Sequence, residues 1–239
     1  MGGEATDPEV STRHLGGAQV IETHELTISF GRTLALDAID VTIRPGVTGL
    51  FGQNGSGKST LLRAFAGLLR PTRGAVSVLG ADPVRANEAL RRMLGYSGHG
   101  SGLYARLSLR ENLEFFARMY DVHERTTVDR TIDRLGLNEH VDKPVADLSA
   151  GNKRRAAVAR AMLHAPHVLL LDEPYANVDD EAADLISDAI QEWAVDRDRI
   201  AVIATHGAKR VKAFASAGII LRQGHVVKQG TYAPVGASG

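Results

Sequence analysis

The residues best suited to chemistry form a glycine-rich stretch in the first third of the chain. Nine residues fit the pattern G-x-x-x-x-G-K-[ST], here called the phosphate loop: Gly52, Gln53, Asn54, Gly55, Ser56, Gly57, Lys58, Ser59 and Thr60. Glycines let a backbone bend closely around phosphates, and the N–H groups of the bend then point inward. Lys58 would reach the β- and γ-phosphates of a nucleotide, and Ser59 would ligate Mg²⁺. The loop therefore predicts nucleotide binding.

Two acidic residues follow an apolar run later in the chain. Asp172 and Glu173 come directly after Val168 to Leu171, and acids at the end of a buried strand are costly unless they have a partner. Asp172 is placed to bind Mg²⁺ through water, and Glu173 is placed as the base for an attacking water. His206, after the next apolar run, would contact the γ-phosphate or hold that water. A surface pair of acids and a structural histidine are the plain alternatives.

The residue pattern predicts the elements that position these groups. Val47 to Phe51 is strand-like before the phosphate loop, and Thr60 to Leu69 is helix-like after it, which is the context that the motif demands. Val168 to Leu171 is typical of a strand buried on both faces, and Ile200 to Ala204 predicts another strand. Strands that alternate with helices predict an α/β fold with a mainly parallel sheet and an antiparallel β flank.

Helical segments are predicted between two strand-rich parts of the chain. Residues from about 85 to 165 are mostly helical, which predicts an inserted helical lobe. Ser108 begins a helix with Glu111 as its capping-box partner, and Ser149 caps a helix from Ala150 to about His164. We expect one domain over residues 19–232, a disordered tail over 1–18 and a short tail over 233–239.

Composition limits the classes of protein that fit. The chain has 239 residues, and its 28 basic residues balance its 28 acidic ones, so nothing suggests bulk attraction to nucleic acid or anionic lipid. It has no cysteine, which excludes disulfides and cysteine-ligated zinc. No apolar run approaches the ~18 residues that span a bilayer, and the first 18 residues lack the apolar core of a signal peptide. We expect a cytoplasmic protein, or one held at a membrane only by a partner.

The order of the motifs resembles the ATP-binding subunits of ABC transporters. The phosphate loop is followed by Leu148 to Asn152, by Leu171 to Pro174, by Asp179 and by His206, and the match covers roughly residues 19 to 230. Leu148 to Asn152, here called the signature segment, is the most specific part of the match. The resemblance implies a P-loop nucleotide hydrolase core that binds ATP and Mg²⁺ and hydrolyses ATP.

The same resemblance implies partners. Two ATP-binding subunits, a homodimer or an unlike pair, would close head to tail around two ATP molecules and drive a separate transmembrane permease subunit. Ser149 and Gly151 of one subunit would cap the γ-phosphate held by Lys58 of the other. Asp179 matches the acid of the loop that crosses the interface, and Phe30 matches the aromatic that stacks on adenine, although spacing alone leaves a core role for Phe30 equally open. The subunit would be peripheral, at the cytoplasmic face of the cell membrane.

Three positions depart from the family pattern. Ala150 and Asn152 replace a glycine and a glutamine of Leu-Ser-Gly-Gly-Gln, and His99 stands where a glutamine that contacts Mg²⁺ is usual. A neutral imidazole can accept a hydrogen bond from a metal-bound water, so His99 stays a candidate metal contact. His99 and Leu-Ser-Ala-Gly together resemble the haem-exporter subunits of cytochrome c maturation, from which Asn152 and Lys153 depart. An exporter of drugs, lipids or polysaccharides is the alternative.

A short apolar segment adds a second expected contact with a membrane partner. Leu103, Tyr104 and Leu107 flank a glycine-containing loop. These side chains fit local packing within the lobe. By resemblance to the family, they also fit a groove that receives a short helix of the membrane subunit, and we favour this interpretation.

Two other classes of protein fit less well. A soluble ABC-type ATPase that acts on ribosomes or DNA usually has two ATP modules or a long coiled-coil insert, and binding to a phosphate backbone favours net positive charge. We therefore expect no nucleic-acid partner. A GTPase would carry Asn-Lys-x-Asp, which is absent here. A small-molecule kinase would not explain the signature segment.

Overall fold

A three-stranded antiparallel sheet forms the first part of the fold. The computed structural model describes residues 20–232. Strands β1 (Ile21–Phe30), β2 (Thr33–Ile43) and β4 (Arg73–Val78) lie in the order β2-β1-β4. Gly31 turns the chain between β1 and β2 with φ 59°, a left-handed conformation that glycine adopts without strain. The tails predicted for residues 1–18 and 233–239 lie outside the described residues.

A six-stranded sheet forms the centre of the molecule. In spatial order its strands are β5 (Leu94–Ser97), β6 (Val168–Asp172), β7 (Ile200–Thr205), β3 (Gly46–Phe51), β8 (Ala217–Arg222) and β9 (His225–Thr231). Neighbouring strands are parallel except for the β8–β9 hairpin. Because β3 and β6 both pair with β7, the carboxyl ends of these three strands lie side by side. The predicted α/β fold, with a mainly parallel sheet and an antiparallel flank, is confirmed.

Helices cover both faces of this sheet. In chain order they are α1 (Lys58–Phe65), α2 (Glu88–Arg92), α3 (Leu109–Met119), α4 (Arg125–Arg134), α5 (Ala150–Met162), α6 (Asp180–Trp193) and α7 (Ala208–Lys212). Leu170 of β6 is buried on the α1 side, whereas Leu169 and Leu171 are buried on the side of α3 to α6. Burial on both faces explains why β6 is apolar at successive positions. Between residues 20 and 232, none of the helices combines the length and the apolar character needed to cross a bilayer.

The helical part between β5 and β6 begins as its capping residues predict. The Ser108 hydroxyl accepts a bond of 3.1 Å from the Glu111 N–H, and Ser108 N–H donates one of 2.7 Å to the Glu111 carboxylate. Ser149 caps α5 through the N–H of Asn152, and α5 ends at Met162. Strand β5 falls inside the range 85–165 but belongs to the central sheet, so the boundaries of the helical lobe stay a prediction.

Candidate active site

The phosphate loop joins β3 to α1 at the carboxyl edge of the central sheet. Gly55 and Gly57 have φ of 77° and 106°, values that side chains other than glycine adopt only with strain. Gly57 precedes α1 without any side-chain cap, so the first N–H groups of the helix stay available to an anion. Gly52 is also close-packed, since a Cβ there would lie 2.4 Å from Ser56 Oγ. The loop therefore has the shape and the donors of an anion cradle.

Lys58 lies inside this cradle. Its side chain is 6% exposed, and its Nζ donates to the carbonyls of Gly52 (2.8 Å) and Gln53 (3.1 Å). The same Nζ lies 3.9 Å from Oε1 of Glu173. The loop thus holds the ammonium group between its own backbone and the end of β6. This position suits a charge that reaches phosphate oxygens bound in the loop.

Asp172 is the strongest candidate to hold a cation. It ends β6, is 1% exposed, and neither carboxylate oxygen has a hydrogen-bond partner among the described residues. An unpaired carboxylate at that depth costs free energy, which a bound cation offsets. The part of the chain that the structure describes contains no group of three or more His, Cys, Asp or Glu residues able to hold a metal alone. Mg²⁺ commonly uses one carboxylate with nucleotide phosphates and water, and Asp172 with Ser59 of the half-buried α1 terminus fits that set.

Glu173 and His206 are brought together from neighbouring strands. Oε1 of Glu173 accepts a bond of 3.0 Å from the His206 N–H and another of 3.0 Å from His206 Nδ1. The Glu173 side chain is 16% exposed, whereas that of His206 is 65% exposed. Glu173 has φ of 50°, a strained value for a residue with a side chain, and its N–H donates to the Ala204 carbonyl. The fold therefore holds this carboxylate with its backbone conformation and two donors.

The signature segment lies against the loop that carries Asp179. A Cβ on Gly151 would lie 2.9 Å from the carbonyl oxygen of Asn177, so only glycine allows this approach without a shift. Asp179 caps α6 by accepting a bond of 2.8 Å from the Ala182 N–H. Asn152, which replaces the usual glutamine, accepts a bond of 2.5 Å from Arg155. Its amide is therefore engaged within its own helix.

The remaining candidates have no hydrogen bond or ion pair with Glu173 or His206. His99 is exposed after β5, and its carbonyl accepts a bond from Arg154. Phe30 ends β1 and is 50% exposed, so it belongs to neither buried cluster. Ser149, Asn54 and Thr60 likewise make no such bond. Lys58, Glu173 and His206 are predicted residues from separate parts of the chain that the fold brings into direct contact.

One residue near the site could not be found from its sequence pattern. Arg154 is 9% exposed on α5, and it bonds to the carbonyls of Gly98, His99 and Asp172. Burial lowers the pKa of its guanidinium, and the nearby carboxylates of Asp172 and Glu173 oppose that change. In the sequence it is one of three consecutive basic residues, and only the fold distinguishes it from its neighbours.

Comparison with known proteins places the chain in one family. Residues 36–176 match the family model described as ABC transporter. The chain is 31% identical to the ABC transporter ATP-binding protein NatA of Bacillus subtilis, over 82% of this chain and 81% of that protein. It is 38% identical to the cytochrome c biogenesis ATP-binding export protein CcmA of Cupriavidus pinatubonensis, covering 78% and 83%. It is also 34% identical to the phosphonates import ATP-binding protein PhnC of Nocardia farcinica, covering 87% and 84%.

The fold is shared with solved structures. A dimeric ATP-binding cassette in a post-hydrolysis state, bound to ADP and phosphate, superposes with a TM-score of 0.80. It is 23% identical, and the match covers 88% of this chain and 98% of that one. Relatives of both export and import type occur, so similarity alone does not give the direction of transport. The chain belongs to the ABC transporter family, in which it is an ATP-binding subunit that hydrolyses ATP.

Proposed function

We propose that this chain hydrolyses ATP with the residues at the carboxyl edge of its central sheet. The observation that carries the proposal is the connection of Lys58, Glu173 and His206 beside the unpartnered carboxylate of Asp172. A cation site, a phosphate cradle and a held carboxylate are the three parts that this hydrolysis requires. They come from three strand ends that are adjacent only in the folded sheet.

Each residue then has one role. The N–H groups of residues 52–60 and Lys58 bind the phosphates, and Phe30 stacks on the adenine ring with its exposed face. Glu173 accepts the proton of the attacking water, because its carboxylate is held near Lys58 and the end of the phosphate loop. His206 Nδ1–H orients that carboxylate, and Nε2 would donate to the γ-phosphate when it carries a proton as well. Ser59 and Asp172 would hold Mg²⁺, and His99 would be a further contact through water.

When bound, Mg²⁺ would neutralise charge on the phosphate oxygens. The residues present fit this ion, because a buried carboxylate without partners lies at the end of the strand next to the phosphate loop. We therefore assign the groups that bind ATP and Mg²⁺ to this edge of the sheet.

A second copy or a paired subunit completes the site. Ser149 and Gly151 lie at the exposed amino end of α5, and they show no contact with the phosphate loop of their own chain. We assign them to the γ-phosphate bound by the opposite subunit, with Asp179 at the interface. Within one chain, Gly151 lets α5 approach the loop before Asp179, which brings these two candidate interface elements together.

The motion of this dimer would drive a separate permease at the cytoplasmic face of the membrane. The docking surface that we assign to it contains Tyr104, which is 51% exposed and packs edge-on against Phe115 (5.1 Å between ring centroids). Phe116 lies beneath Tyr104 at 6.1 Å. We propose export as the direction, of a haem-export-like type, because His99 and Leu-Ser-Ala-Gly occur together. A drug, lipid or polysaccharide exporter shares the mechanism.

The first experiment tests the ATP site. We expect purified wild-type protein to hydrolyse ATP only with Mg²⁺, and Glu173→Gln to hydrolyse it about 10²–10³ times more slowly while still binding ATP. Glu173→Gln should also form an ATP-dependent dimer in sedimentation, since closure survives and the base is lost. Glu22→Gln, on the exposed face of β1, is the control and should behave as wild type. Wild-type hydrolysis by Glu173→Gln would refute the assignment of the base.

A second experiment identifies the partner. Affinity isolation from gently solubilised native membranes, followed by mass spectrometry, should recover a multi-span subunit. Haem-handling proteins beside it would support the haem-export-like proposal. A different exporter subunit would indicate that another substrate is transported. Recovery with a solute-binding importer complex would refute export. Ribosomal or DNA-repair proteins without a membrane partner would refute the transporter role and leave the ATP site intact.

A further inference from the structure

Arg154 connects the signature helix α5 to the loop after β5. It lies one turn inside α5 and is only 9% exposed. Its Nη1 donates to the Gly98 carbonyl at 2.9 Å, and its Nη2 donates to the His99 carbonyl at 3.2 Å. These acceptors lie 56 and 55 residues away in the sequence. One guanidinium therefore fixes the backbone of the His99 loop against the helix that begins with the signature segment.

The same guanidinium also contacts the end of β6, the strand that carries Asp172. Nη1 also lies 3.4 Å from the carbonyl of Asp172, the last residue of β6. The next residue is Glu173, so a shift of this carbonyl moves the backbone of both acids. An arginine stays charged in proteins and its donors form a rigid planar fork, which suits it to hold several acceptors in one geometry.

We propose that Arg154 is a positioning residue for hydrolysis, a proposal that rests on the function proposed above. Its hydrogen bonds go to backbone carbonyls. It sets, through backbone carbonyls, the place of the His99 loop and of the Asp172–Glu173 pair relative to α5. Because the amino end of α5 faces the nucleotide of the paired subunit, closure of the dimer is transmitted to the acids of the same chain through this side chain.

A purely structural role predicts a different result from a positioning role. Loss of a buried arginine that only fills space lowers stability and leaves the kinetics of the folded fraction unchanged. Loss of a positioning contact lowers kcat and raises the Mg²⁺ concentration needed for half-maximal rate, because Asp172 is displaced. The KM for ATP changes little, since the phosphate loop and Phe30 are untouched.

The test compares Arg154→Met and Arg154→Lys with Arg199→Met in purified full-length protein. Arg199 is a matched control, since it is also part-buried and donates to a backbone carbonyl, that of Trp193 at 3.1 Å, at the opposite end of the sheet. For Arg154→Met we expect kcat to fall about 10²-fold, the magnitude that an ångström-scale misplacement costs, with the KM for ATP within about twofold. Arg154→Lys can still donate to one carbonyl, so its kcat should be about tenfold higher than that of Arg154→Met.

The outcomes separate the proposals. If Arg154→Met keeps kcat and Mg²⁺ dependence within about threefold of Arg199→Met, Arg154 is structural and the inference is wrong. If Arg154→Met does not fold, Arg154→Lys decides: lowered kcat with unchanged KM supports positioning, and wild-type kcat overturns it. If the wild-type protein hydrolyses no ATP with Mg²⁺, the proposed function fails, which is a different result from normal hydrolysis by every Arg154 variant.

Discussion

Replacement of His206 by alanine tests how the carboxylate of Glu173 is held. Oε1 of Glu173 accepts two bonds of 3.0 Å from His206, one from the backbone N–H and one from Nδ1 of the ring. Alanine keeps the first bond and removes only the second. We therefore expect Glu173 to keep its place in part, with its carboxylate free to rotate away from the attacking water.

The size of the effect follows from this single lost bond. A hydrogen bond to a charged group contributes about 1.5–3 kcal/mol, and about 1.4 kcal/mol is tenfold in rate. The ring is 65% exposed, so water competes for the bond and the lower end of the range applies. We expect kcat to fall about tenfold, and further if Nε2 also contacts the γ-phosphate.

The assay is steady-state ATP hydrolysis with Mg²⁺, together with ATP binding measured separately. Binding should stay at the wild-type level, since the phosphate loop is untouched. His225→Ala is the matched control, because His225 is similarly exposed and lies 3.8 Å from the carboxylate of Asp37 outside the site. Hydrolysis by His206→Ala at the rate of His225→Ala would refute the reasoning.

Three further predictions address other parts of the molecule. Gly151→Ala should lower the free energy of unfolding by about 1–3 kcal/mol and weaken ATP-dependent dimerisation, because its Cβ would meet the Asn177 carbonyl of the same chain at 2.9 Å and displace the amino end of α5; Ala150→Gly, at an exposed position, should not. Tyr104→Asp should abolish stimulation of hydrolysis by the reconstituted membrane partner but leave basal hydrolysis unchanged; normal transport would exclude this docking surface. Burial lowers the pKa of His164 to about 4, so the unfolded chain binds more protons between about pH 4 and 6.5, and urea titrations should show stability lost as pH falls through that window. His164→Phe should flatten this loss.

Local signals predicted much of the fold and of the site. The phosphate loop, the Ser108 capping box and the Ser149 cap each depend on residues within nine consecutive positions, and each has the expected geometry. Helix α1, however, ends at Phe65 rather than continuing to Leu69, because Gly67 adopts φ of 70° and the N–H groups of Gly67 and Leu68 turn back to carbonyls of the last helical turn. Glycine just after a helix is itself a local signal for this end.

Contacts between distant parts of the chain could not be predicted from the sequence pattern. The strand order places β5 beside β6 although 70 residues separate them, and no spacing rule gives that pairing. The same holds for the bonds from Arg154 to carbonyls over 50 residues away. The motif order indicated which residues gather at the edge of the sheet. It could not indicate that Asn152 would be engaged by Arg155.

Glu173 has a left-handed backbone conformation, which costs free energy of folding at the position of the proposed base. A side-chain-bearing residue held at φ of 50° costs about 1–3 kcal/mol, which glycine would largely remove. Glycine would also remove the proposed base and the acceptor of the two bonds from His206, which offsets that gain. Stability and turnover therefore both depend on the side chain at this one position.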